Sequence, residues 1–157
     1  MNPGSKSPSQ MSSTTAGSYA SNDYINQMNA QIVNYIQNSQ LPELSQFITT
    51  RQVPPGILTQ FLSGSIDNSQ NIEIIKLFLS KGADVNTVIH STALQIEESE
   101  GITLLMYSII ANNFSLFDVI MSFHPDILLT DSSNKNAVVY SILFNDDSNR
   151  FLLMKLL

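Results

Sequence analysis

Cysteine is absent from the 157 residues. That excludes disulfides, thiolate metal sites and cysteine nucleophiles together. Charge is also scarce. Asp, Glu, Lys and Arg make up 13% of the chain, about half the usual share of roughly 25%, and Asn, Gln and Ser take their place. Thirteen acidic against seven basic residues leave a formal net charge of −6. Nucleic-acid affinity comes largely from Lys and Arg on phosphate, so no nucleic-acid partner is expected; an anionic membrane surface is disfavoured on the same ground. No apolar run approaches the roughly 20 residues of a membrane span. Residues Met1 to Asn22 lack the apolar stretch of a secretory signal, so an intracellular setting, cytoplasmic or nuclear, is the expectation. The Asn113-Phe114-Ser115 sequon carries little meaning in that setting.

The inventory of reactive groups is equally thin. The two histidines are His90 and His124, and neither stands in a pattern of nucleophile, base and orienting group. His90 reads as a loop histidine. His124 reads as a cation favoured by the negative pole of a helix C-terminus. Glu97, Glu98 and Glu100 lack the spaced oxygen ligands and Gly turn of a hard-cation loop, and read as a solvated acidic segment that would attract a basic partner. There is no phosphate-cradling glycine loop, no dinucleotide fingerprint and no H-E-x-x-H pair. The expectation is a chain without catalytic residues, metal, cofactor or small-molecule substrate.

What is present is helical periodicity. Met1 to Asn22 is rich in Ser, Thr, Gly and Pro and reads as a disordered tail, with Ser7-Pro8 a pair common in such tails. From Asp23 the pattern changes. Tyr24, Ile25, Met28, Ile32, Val33 and Ile36 trace an amphipathic helix ending near Asn38, capped by Asn22 or Asp23. Leu41-Pro42-Glu43 opens a second helix with a Leu44, Phe47, Ile48 stripe. Arg51 to Gly56 connects it to a third, carrying Ile57, Leu58, Phe61 and Leu62 and ending about Gly64. Ile72, Ile75, Phe78 and Leu79 then mark a fourth, which Gly82 ends because a C′ residue needs positive φ. Ala83 to Asn86 is expected to be extended.

Residues Asn71 to Asn86, NIEIIKLFLSKGADVN, resemble the second half of an ankyrin repeat, whose ending runs V-x-x-L-L-x-x-G-A-D-x-N. Gly101 to Met121 is similar to the family's G-x-T-P-L-H-L-A-A-x-x-G-H-x-x-x-V-x-x-L-L, with Asp131 in the place of the next leading Asp. Asn136 follows Thr103 by 33 positions, the ankyrin period, and Tyr107-Ser108-Ile109 coincides with Tyr140-Ser141-Ile142 at that offset. Asn112 and Asn145 stand where the family places an αL glycine, and Asn is the next most tolerant residue there. His124-Pro125 replaces Gly-Ala, so that helix is expected to end by proline interruption. Thr87 to Ser99 is an excess of about nine residues over the repeat norm.

The resemblance implies an all-α fold: an ankyrin-type helical solenoid of about three to four helix pairs with hairpin-like finger loops. The repeats fall at about 23–52, 54–88, 100–131 and 133–157, the last truncated. Because the chain stops mid-helix without a polar capping repeat, it is expected to be a fragment of a longer array or to dock its apolar end. The implied role is a non-catalytic scaffold binding another protein on its concave face. Carried over position by position, the partner-facing residues are Ser99, Glu100, Ile102, Ile110 and Ala111 in one repeat. In the next they are Ser132, Ser133, Lys135, Leu143 and Phe144. Of these, Ile102, Ile110, Leu143 and Phe144 are expected to be exposed as an apolar floor. The alternatives are the recruiting module of a longer enzyme or effector, and a plain helical bundle without repeats.

Overall fold

In the computed structural model, described over residues 15–65, 72–89, 100–144 and 149–156, every regular element is a helix. Among the described residues the only β pairing is one antiparallel bridge between Val88 and Thr103. The chain divides into two units, Met1–Leu44 and Ser45–Leu157.

The first unit is built on α1 (Thr15–Gln37) and the opening turn of α2 (Leu41–Arg51). The helix starts eight residues before Asp23, so the expected cap at Asn22 or Asp23 is not used. Once the periodic stretch from Tyr24 has nucleated, extending a helix backwards through Ala16 and Ala20 is cheap. Met28 and Ile32 are buried, whereas Tyr24, Ile25 and Val33 of the expected stripe are exposed. Ser39 takes a positive φ of 54°. There the Gln40 N–H donates to the Tyr35 carbonyl at 2.9 Å, closing the helix end. Met1 to Thr14 of the expected tail lies outside the described residues.

The second unit contains the rest of α2, then α3 (Pro55–Ser65), α4 (Ile72–Ser80), α5 (Leu104–Ile110), α6 (Phe114–Met121), α7 (Ala137–Leu143) and α8 (Asn149–Leu156). Pro55 opens α3, where its missing N–H costs nothing. Consecutive helices pack as pairs: α3 on α4, α5 on α6, α7 on α8. Successive pairs join through α5 on α7 and α4 on α6. Ile74, Ile75, Phe78 and Leu79 of α4 are buried, as are Leu116, Phe117 and Ile120 of α6. All six residues from Leu104 to Ile109 are buried in α5.

Polar ties repeat the same order. The Asp84 N–H donates to Thr59 Oγ1 at 2.9 Å, and the Asp126 N–H donates to Asn86 Oδ1 at 2.8 Å. Lys81 Nζ reaches Thr49 Oγ1 at 3.0 Å.

Gly82 has φ +93° and its N–H meets the Leu79 carbonyl at 3.0 Å, the helix end expected from sequence. The expected extended stretch is interrupted by a turn at Val85 and Asn86. Asp84 Oδ1 accepts from the Asn86 N–H at 2.9 Å, and the Asp84 carbonyl accepts from the Thr87 N–H. A short carboxylate two residues upstream of a free N–H favours this Asx turn over a strand. The end of α6 also departs from expectation. His124 itself adopts φ +54° and donates its N–H to Met121 at 3.1 Å, so a left-handed residue closes the helix and Pro125 merely follows. Asn112, at φ +50°, fills the glycine position as expected; Asn145 lies outside the described residues.

Candidate partner-binding surface

In the second unit one loop precedes α5 and another precedes α7. The first is pinned at its base, where Ile89 N–H donates to the Ile102 carbonyl at 2.8 Å and Leu104 N–H to the Thr87 carbonyl at 3.2 Å. Residues 90–99, including Ser99, His90, Glu97 and Glu98, lie outside the described residues.

The second loop is folded around one side chain. Asp131 Oδ1 accepts from the backbone N–H groups of Ser133 (3.0 Å) and Lys135 (2.7 Å). Its Oδ2 accepts from the Tyr140 hydroxyl at 2.6 Å. The backbone closes the same turn: Asp131 N–H donates to the Lys135 carbonyl and Asn134 N–H to the Asp131 carbonyl. Burial of Asp131 acts to raise its pKa. The hydrogen bonds from Tyr140, Lys135 and Ser133 and the charge of Lys135 outweigh it, holding the carboxyl below its ordinary value.

The two loops are tied edge to edge. Ser132 N–H donates to the Glu100 carbonyl at 2.8 Å, and Glu100 N–H donates to Ser132 Oγ at 3.1 Å. A Cβ on Gly101 would lie 3.5 Å from Asp131 Cα and from Ser132 N. Gly101, at φ +89°, therefore combines a backbone shape L residues avoid with a close approach of chains. Between the loops lies a cleft of about 610 Å³ lined by Val88, Glu100, Gly101, Thr130, Asp131 and Ser132.

The loops and the helices that follow them correspond at an offset of 33 residues. Gly101 and Asn134 both have positive φ. Thr103 and Asn136 are both N-caps, accepting from Met106 and Val139 N–H at 3.3 and 3.0 Å. Ser108 and Ser141 are both buried and each donates to the carbonyl three residues back, at 2.7 Å. Tyr107 and Tyr140 are both buried. At α5, Thr103 N–H also reaches Met106 Sδ at 3.5 Å.

The expected contact residues separate into two groups. Glu100, Ser132 and Ser133 are exposed on the two loops and Lys135 is half-buried. Ala111 is exposed and Ile110 half-buried at the end of α5, while Leu143 is 59% and Phe144 39% exposed at the end of α7. Phe144 stacks on Tyr140, ring centroids 6.0 Å apart. Ile102 is not part of an exposed floor: it is 3% exposed. Its carbonyl joins the base of the first loop, and the reversal at Gly101 turns its side chain into the core. Val88 and Thr130 line the cleft without having been expected there, since neither belongs to the repeat pattern that singles out the other residues. Among the described residues no three His, Cys, Asp or Glu side chains are grouped to hold a metal, and no helix is long and apolar enough to cross a membrane. Neither a family model nor a curated protein matches the chain.

Proposed function

We propose that this chain is a divergent ankyrin-type repeat module that binds another protein, without catalysis, along its loop tips and the ends of the helices that follow them. The correspondence at an offset of 33 residues carries the reading: positive φ, N-cap, buried tyrosine and buried serine recur together from the α5 pair to the α7 pair. A plain bundle has no reason to repeat four unrelated local features at one spacing. Repeats that lean on their neighbours leave a row of tips and helix ends free for a partner. Here those positions are Glu100, Ser132 and Ser133 on the loops and Ala111 and Leu143 at the helix ends, with the cleft between the loops. The net charge of −6 favours a basic partner by steering.

The test is a quantitative binding measurement with the partner recovered by affinity capture and then purified. Ala111→Arg combined with Ser133→Arg changes two exposed side chains that make no hydrogen bond of their own. The pair is expected to weaken binding about tenfold or more with an unchanged circular dichroism spectrum. Equal affinity in the double variant overturns the assignment of this surface.

A further inference from the structure

One residue buried in α7 reaches both loops through an unbroken run of hydrogen bonds. The Tyr140 hydroxyl donates to Asp131 Oδ2 at 2.6 Å. Asp131 Oδ1 holds the N–H groups of Ser133 and Lys135 at 3.0 and 2.7 Å, which fixes the backbone on either side of Ser132. Ser132 then grips the first loop twice. Its N–H donates to the Glu100 carbonyl at 2.8 Å, and its Oγ accepts from the Glu100 N–H at 3.1 Å. Tyr140 is 2% and Asp131 5% exposed, whereas Glu100, Ser132 and Ser133 are exposed. The inner end of the run is therefore out of a partner's reach and the outer end is open to it.

From this geometry we infer that Tyr140 is a positioning residue for the partner-binding surface. Its hydroxyl orders the second loop through Asp131 and, through Ser132, sets the first loop against it. The inference rests on the surface proposed above and adds to it a residue that touches no partner. The physical ground is preorganisation: ordering a loop on binding weakens affinity, and a loop already held avoids that loss. Hydrogen bonds to an ionised carboxylate are stronger than those to a neutral acceptor, and bonds in a chain strengthen one another. Removing the hydroxyl at the buried end thus loosens groups as far along as the Glu100 N–H. The ring of Tyr140, which stacks on Phe144, is a separate support, and Tyr140→Phe leaves it in place.

The experiment is amide hydrogen exchange of the full chain, read residue by residue by NMR, with affinity for the purified partner measured in parallel. In Tyr140→Phe the amides of Ser132, Ser133, Lys135 and Glu100 are expected to exchange about tenfold faster, and the partner to bind about threefold to tenfold more weakly. In Ser132→Ala the Glu100 amide speeds up while those of Ser133 and Lys135 keep their rates, since the run is cut beyond them. Ile74→Val, a core change in α4, lowers overall stability away from the run and leaves all four rates as they are, because local opening sets them. Asp131→Asn keeps the side-chain shape without the charge and acts in the same direction should Tyr140→Phe fail to fold. A Glu100 amide indifferent to both Tyr140→Phe and Asp131→Asn overturns the coupling. Equal acceleration in Ile74→Val overturns it too, as a general loss of stability. Faster loop exchange with unchanged affinity overturns the positioning role. The exchange measurement uses no partner, so it stands or falls apart from the surface itself, which Ala111→Arg with Ser133→Arg tests.

Discussion

One carboxylate organises the second loop. Asp131 is buried yet ionised, because three donors converge on its two oxygens. A hydrogen bond to a charged group contributes about 1.5–3 kcal/mol. Tyr140→Phe removes one such bond while keeping the ring and its stack on Phe144, and is expected to destabilise the fold by about that amount at neutral pH. The pH dependence follows from the direction of the shift. The folded-state pKa lies below the ordinary value of 3.8, so the native state binds fewer protons than the unfolded chain around that pH. The stability Asp131 contributes is complete above the ordinary value and is lost as pH falls through the lower folded value. Tyr140→Phe raises that folded value towards the ordinary one, so its cost should shrink as the pH is lowered through this range. Urea unfolding of both proteins at several pH values checks this; a cost independent of pH would show that the hydroxyl acts only through packing. By contrast the Lys155–Asp118 pair is solvent-exposed and contributes little.

Helix ends show what could be read from the chain and what could not. Gly82 and Asn112 were legible because residue type and required backbone shape coincide. His124 was not: it performs the turn of Gly82, with the equivalent N–H bond to the residue three back, in a side chain that rarely adopts it. The same holds for Ile102, whose apolar character fits a surface floor or a core equally well until the Gly101 reversal fixes its direction. The early start of α1 was hidden by composition, since a Ser-rich segment contributes no stripe even where an adjoining helix can propagate through it. Ile75, Phe78 and Leu79 of α4 and the paired tyrosines were visible as periodicity, whereas the burial of Ile74 in place of Ile72 and the caps at Thr103 and Asn136 were not. Substitution separates the two helix ends. Gly82→Ala puts a Cβ on a left-handed residue and is expected to cost about 1–2 kcal/mol. His124→Gly relieves a similar strain, and about 0.4–1 kcal/mol of added unfolded-chain entropy partly offsets the gain. The net effect should be a stabilisation of about 1 kcal/mol or less. Urea midpoints of opposite sign are expected, and a loss of stability in His124→Gly would mean that the imidazole holds the turn by contacts of its own.

Across the Ser45–Leu157 unit, stability should be graded and not uniform. A helix pair that touches only its neighbours gains stability from each interface it makes. The α5 helix packs on both α6 and α7 and buries six consecutive residues, Leu104 to Ile109. The α7 helix has Ala137, Tyr140 and Ser141 buried and its opposite side open. Local opening free energies follow the number of buried apolar contacts. In the dilute monomer the amides of α7 should therefore exchange faster than those of α5 by at least about tenfold, the equivalent of about 1.4 kcal/mol. Hydrogen–deuterium exchange read helix by helix distinguishes the cases. Equal rates in α5 and α7 of the dilute protein would show one cooperative block, and the picture of stability built from neighbour-to-neighbour interfaces would then fail.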